Sequence, residues 1–231
     1  MNIYNLIIND KEQVQLSEVF LKDENRKVIG QLIKEHQHID KLHQYGLPVN
    51  NKVLLHGSSG CGKTTTAKAI ANALERPLLI LNLSNVVSSR IGETSQNLKA
   101  VFDKAEREKA VLFLDEFDLI GKNRDDDKDV GEMRRLVNTL IQLIDYFPEK
   151  TLLICATNHL DIIDKALLRR FQLSVRFELP SDKELDNYYN TLLSRFPEHL
   201  KDVERKFEVS FAQAKDDIFT QIKAKILSEI E

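Results

Sequence analysis

The chain has 231 residues, enough for one α/β domain and a small appendage around a sizeable core. Apolar residues make up 42% and charged residues 30%, which describes a soluble globular protein and excludes a disordered one. A net charge of −3 supplies no overall positive field of the kind that marks nucleic-acid binders, so such a partner would need a local basic patch.

The N-terminus, Met1 to Asp10, has no basic n-region, and its apolar stretch is too short for a signal peptide. No segment approaches the length of a membrane span. The only cysteines, Cys61 and Cys155, lie in a glycine-rich loop and an apolar run, as suits two unpaired thiols in a reducing compartment. A cytoplasmic protein with no membrane partner is expected. Residues 1–21 are weakly patterned and read as a short edge element or an oligomer contact. Residues 22–45 space Val28, Ile29, Leu32, Ile33, Ile39 and Leu42 as one helix, ended by Gly46-Leu47-Pro48. Short apolar runs follow at Val53–Leu55, Leu78–Leu83, Val111–Leu114, Leu152–Ala156 and Leu173–Phe177. Helical candidates near 64–75, 94–107, 130–146 and 164–170 lie between them. Five such runs predict an α/β fold with a five-stranded, doubly wound parallel sheet. Past Leu179-Pro180 the strand signal stops. Residues 181–231 read as helical, with Asp182, Lys183 and Glu184 opening one helix and Ile218, Ile222, Ile226 and Leu227 striping the last. The expected divisions are an N-terminal helical segment (1–45), an α/β core (46–180) and a helical region (181–231).

The sharpest chemical signal is Gly57-Ser58-Ser59-Gly60-Cys61-Gly62-Lys63-Thr64-Thr65, set between an apolar strand and a helix. This is a P-loop in the context it requires. Glycine lets backbone N–H groups turn inward around phosphate oxygens, and the following helix start adds donors and a positive dipole end. Lys63 is expected to reach the β- and γ-phosphates of a nucleoside triphosphate and Thr64 to ligate Mg²⁺. Next, Val111–Leu114 runs into Asp115-Glu116, two carboxylates at the C-terminal end of a buried strand, where ligands of open α/β sheets sit. Asp115 is expected to hold Mg²⁺ through its water shell. Glu116 is placed to orient and deprotonate an attacking water, which argues for hydrolysis over phosphotransfer to a small molecule. Alone, this pair is a strand ending in a solvated acidic turn. Asn158 follows another apolar run and reads either as a γ-phosphate and water contact or as an ordinary turn or cap. Arg169-Arg170 ends a helical stretch, either as solvated charge on the helix dipole or as a guanidinium for the transition state.

Together these residues resemble an AAA+ ATPase, of the branch called simply AAA, from about residue 45 to 180 and more weakly to the C-terminus. Ile91–Phe102 is similar to the segment after that branch's first pore loop, and Glu132–Ile141 to its helix after Walker B. The resemblance implies a hexameric ring with ATP at subunit boundaries and a small C-terminal helical lid. It assigns Lys63 and Thr64 to Walker A, Asp115 and Glu116 to Walker B, and Asn158 to sensor 1. Arg170 matches the arginine finger, with Arg169 as a second candidate. Asn82 matches the polar residue that restrains the catalytic Glu. Three departures stand out: no Pro-Gly separates the arginine-bearing turns, no sensor 2 arginine lies near Phe211–Lys215, and Arg90 falls where protein-threading members carry an aromatic.

The resulting expectation is an ATPase that couples hydrolysis to remodelling of a protein substrate or adaptor. About 45 residues precede the core, too few for the large N-terminal domains of membrane-fusion or protease-associated relatives. Cargo recognition is therefore expected in residues 1–45, in the pore, or on a partner. The alternatives are a nucleic-acid-associated helper acting through Arg90 and Lys99, and a nucleotide-gated scaffold, against which Glu116 argues. His36, His38, His43 and Asp40 imitate a metal cluster but fit an amphipathic helix. Asp125–Asp129 reads as a solvated loop. Cys61 has no evident activating partner.

Overall fold

Parallel strands covered on both faces need apolar side chains at every position, and two strands of this chain meet that demand almost completely. All six residues of Leu152–Thr157 are buried, as are Val111–Leu114. The computed structural model describes residues 6–8, 10, 12–84, 91–120 and 130–230. It divides into two compact units: residues up to His56 with Thr64–Arg176, and Gly57–Lys63 with the segment from Phe177 onward.

Six strands form one sheet: β1 (Ile7–Ile8), β2 (Lys52–Gly57), β3 (Leu78–Asn82), β4 (Val111–Asp115), β5 (Leu152–Thr157) and β6 (Leu173–Phe177). Their order is β1-β3-β4-β5-β2-β6. The β3–β4, β4–β5 and β2–β5 pairs are parallel. β1 runs antiparallel to β3, with Ile7 opposite Leu81 and Ile8 opposite Ile80. The sheet is thus six-stranded and mixed, which corrects the expected five parallel strands. The added strand is the short edge element that residues 1–21 offered as one reading; two residues carry too little periodicity to fix its position or direction.

Among the described residues, the helices that belong wholly or mainly to the first unit are α1 (Asp23–Gln37), α2 (Ile39–Gln44), α3 (Lys63–Ala73), α4 (Ile91–Glu108), α5 (Val130–Asp145) and α6 (Lys165–Leu168). The single helix expected over 22–45 breaks at His38 (φ −116°, ψ 22°), whose N–H bonds back to Lys34 and Glu35. Leu98, Val101 and Phe102 of α4 join Leu140 and Ile144 of α5 and Leu112 and Leu114 of β4 in the main core. An N-terminal arm lies along α3. Val14 and Val19 pack on Ala69, the Asn72 amide donates to the Val14 carbonyl, and Lys68 pairs with Asp10 (2.5 Å) and Glu12 (2.6 Å).

The second unit has its own core, built by two helices with matching i, i+4, i+8 stripes. Leu185, Tyr189 and Leu193 of α7 (Asp182–Leu193) pack with Ala214, Ile218 and Ile222 of α8 (Phe211–Ser228). Each helix opens with a capping box, Ser181/Glu184 and Ser210/Gln213. No helix among the described residues is long and apolar enough to cross a membrane.

Candidate functional site

The glycine-rich loop is held in shape by contacts that only glycine permits. Gly57, Gly60 and Gly62 have φ of 121°, 70° and 97°, a region side chains disfavour. A Cβ on Gly57 would lie 2.0 Å from the Phe177 carbonyl oxygen, the same oxygen that accepts the Ser58 N–H at 2.9 Å. A Cβ on Gly60 would lie 2.5 Å from Ser210 Oγ, and the Gly60 carbonyl accepts the Ala212 N–H at 3.1 Å. The loop is therefore fastened at the end of β6 and at the start of α8. Lys63 is buried, with Nζ donating to the Gly57 and Ser58 carbonyls at 2.8 Å each. Cys61 is buried too, and burial pushes its thiol pKa up, with Lys63 pulling weakly the other way. A buried thiol with a raised pKa offers little thiolate to react. Ser59 and Thr65 are exposed.

In the first unit, two of the expected ligands meet. Thr64 Oγ1 donates to Asp115 Oδ2 at 3.4 Å, and Asp115 Oδ1 accepts the Glu116 N–H at 2.9 Å. A hydroxyl and a carboxylate side by side form a hard oxygen donor set that fits Mg²⁺. Glu116 is exposed and sits at φ 54°, a left-handed conformation that costs a non-glycine residue about 1 kcal/mol or more. Asn82 is the register partner of Asp115 across β3 and β4. Its Oδ1 accepts both the N–H (2.8 Å) and the hydroxyl (2.6 Å) of Ser84, which fixes its amide. Asn158 is exposed and directly follows Thr157, which pairs with His56 of β2.

Sequence reasoning missed what ties these turns together. The Thr157 hydroxyl donates to Asp118 Oδ1 at 3.0 Å and accepts the His159 N–H at 2.9 Å, so the two bonds bracket Asn158. Asp118 and Thr157 are buried, 6% and 1% exposed. Phe117, fully buried, meets Phe171 edge-to-face at 5.6 Å. The available signal was a third acid in Asp115-Glu116-Phe117-Asp118: an acid beside an apolar core must be hydrogen-bonded if it is buried.

The two arginines differ. Arg170 forks onto Asp145 through Nε (3.1 Å) and Nη2 (3.2 Å), and its Nη1 donates to the Ala166 carbonyl. Arg169, the C-cap of α6, is exposed. Arg90 and Asp125–Asp129 lie outside the described residues. The histidines go to separate partners: His36 to the Asn50 carbonyl and His43 to Glu149, while Asp40 pairs with Lys150.

Comparison with known proteins decides what this arrangement belongs to. Residues 53–179 match the ATPase family associated with various cellular activities (AAA). The chain belongs to the AAA family. This AAA protein is 36% identical over 181 residues to an uncharacterized AAA family ATPase of Sinorhizobium fredii, covering 78% of this chain and 55% of the relative. It is 33% identical over 147 residues to a putative 26S proteasome regulatory subunit homolog of Methanothermobacter thermautotrophicus, covering 61% and 40%. It is also 33% identical over 177 residues to the ATP-dependent zinc metalloprotease FtsH of Lachnoclostridium phytofermentans, covering 74% and 31%. The chain thus spans about half or less of the length of these relatives. As an AAA ATPase with a P-loop it is an ATP-binding protein of a family that hydrolyses ATP.

Proposed function

We propose that this AAA ATPase assembles into a ring, a hexamer, and couples ATP hydrolysis to remodelling of a protein partner in the cytoplasm. The observation that carries hydrolysis is the meeting of Thr64 and Asp115 at 3.4 Å, with Glu116 next in sequence at the strand end. Thr64 and Asp115 would hold Mg²⁺, which when bound neutralises charge on the β- and γ-phosphates. The loop amides from Gly57 to Thr64 and the Lys63 ammonium bind the phosphates. Glu116 takes the proton of the attacking water, Asn158 orients that water, and Asn82 restrains Glu116 between turnovers. Arg170 or Arg169 reaches the ATP of a neighbouring subunit, and residues 181–231 act as the lid.

The relatives named as a proteasome regulatory subunit homolog and as an ATP-dependent metalloprotease support a protein as the remodelled partner. The test starts with Glu116→Gln, expected to retain ATP and lose turnover. Arg170→Ala mixed with Lys63→Ala should then regain part of the activity that each lacks alone. Full activity of a strictly monomeric wild type would end the ring proposal, and salt-sensitive capture of single-stranded DNA would replace the protein partner with a nucleic acid.

A further inference from the structure

We infer that Thr157 and Asp118 are positioning residues for hydrolysis, locking the turn that carries Asn158 to the turn that follows Glu116. The inference rests on the assignment of Glu116 and Asn158 proposed above and adds the parts that set their geometry.

Two exposed polar side chains stand on short turns. Glu116 and Asn158 each leave a strand end and stand exposed. Exposed turns wander unless something fixes them, yet a catalytic group loses much of its effect when displaced by an ångström. β4 and β5 are neighbours in the sheet, and their ladder is registered to Leu114 opposite Cys155. Beyond that rung the backbone of Glu116 leaves the strand at φ 54°. The ladder therefore stops before the residues that matter.

The Thr157–Asp118 bond takes over where the ladder stops. Asp118 lies in the 3₁₀ turn Phe117–Ile120, two residues past Glu116. Its carboxylate accepts from Thr157, and Thr157 accepts from the His159 backbone, one residue past Asn158. A threonine hydroxyl that both donates and accepts has its orientation determined from two sides. Both side chains are buried, where hydrogen bonds are strong and leaving a group unpaired is costly. Phe117, on the same turn, is wedged edge-on against Phe171, which follows Arg170. A single 3₁₀ turn thereby grips both the asparagine turn and the arginine turn.

Thr157→Val removes the hydroxyl at nearly constant volume, Thr157→Ser keeps it, and Asp118→Asn keeps an acceptor of the same shape. For Thr157→Val we expect kcat to fall on the order of tenfold to a hundredfold, with ATP affinity within about twofold of wild type. Thr157→Ser should recover most of the rate. The double variant Thr157→Val/Asp118→Ala should be no slower than the slower single variant, because both remove one link. Unchanged kcat in Thr157→Val overturns the inference, as does a loss of ATP affinity equal to the loss of rate, or full additivity in the double variant. Should Thr157→Val fail to fold, Asp118→Asn and Thr157→Ser carry the comparison: rates equal to wild type in both, with Asp118→Ala equally active, overturn it. Glu116→Gln separates the two levels. If it retains turnover, the site assignment fails. If it is inactive while Thr157→Val and Asp118→Ala turn over normally, only the positioning role fails.

Discussion

Gly57→Ala is the substitution whose cost follows most directly from the structure. The new Cβ would sit 2.0 Å from the Phe177 oxygen and 2.9 Å from its carbon, both backbone atoms that cannot rotate away. Restoring contact to about 3.5 Å requires the loop and the β6 end to part by more than 1 Å. That movement breaks the Ser58 N–H bond to the same oxygen. Holding alanine at φ 121° adds backbone strain of about 1–3 kcal/mol. Crowding against main chain adds about 1–3 kcal/mol, and the lost hydrogen bond about 1 kcal/mol. The expected destabilisation is on the order of 4–5 kcal/mol, a large part of the roughly 5–15 kcal/mol that holds a protein folded. In a chain of this size that lowers Tm by roughly 10–15 °C. Thermal melts without nucleotide keep ATP binding out of the measurement. Gly62→Ala is the control, since its φ is 97° but nothing lies within 4 Å of its Cβ. It should show the backbone strain alone. If the two variants melt within about 2 °C of each other, the clash with Phe177 is not the origin of the cost.

Glu116→Gly should raise stability by up to about 1 kcal/mol, because glycine adopts φ 54° without strain, while ending ATP turnover. A less stable variant, or one that still turns over, would contradict the assignment of a strained general base. His36 is 2% exposed, and burial holds its pKa below the ordinary 6.5 despite its bond to the Asn50 carbonyl. The folded state therefore binds this proton less readily than the unfolded chain, so its contribution to stability is present above about pH 6.5 and lost as pH falls below it. Urea midpoints should decline from pH 7 to 5 more steeply for wild type than for His36→Gln, and parallel profiles would refute the coupling. Cys61 and Cys155 are both buried with thiol pKa values raised by burial. A thiol reagent at pH 7.5 should modify neither in the native protein and both in denaturant, whereas fast labelling of Cys61 in the native state would show an open loop.

Strands were legible wherever burial on both faces imposed a continuous apolar run, as in Val111–Leu114 and Leu152–Ala156. The P-loop and the Asp115-Glu116 pair were legible because phosphate and metal chemistry demand fixed residue types at fixed spacing. β1 was legible only as one of two readings of residues 1–21, a short edge element, because Ile7 and Ile8 become a strand by pairing with Leu81 and Ile80, some seventy residues away. The break at His38 was hidden because no glycine or proline marks it, and Ile39 continues the apolar stripe. The last segment of the arginine stretch shortened to four helical residues, Lys165–Leu168, capped by Asp164. Within the candidate site, the expected ligands follow from residue type and spacing, whereas their fastenings do not. Thr157 and Asp118 lie far apart in sequence, and only the adjacency of β4 and β5 brings them together. The fork from Arg170 to Asp145 has the same character.

The two residues of β1 also bear on solubility. An exposed strand edge is a template for pairing with other chains, and natural sheets blunt such edges with short strands and nearby charge. Here the outer side of β3 is closed by Ile7 and Ile8, and Asp10 and Glu12 are anchored to Lys68 just beyond. Ile80 and Leu81 would otherwise head an apolar, hydrogen-bond-hungry margin. Shortening the N-terminal arm would therefore first show itself as self-association through β3, before any change at the nucleotide site.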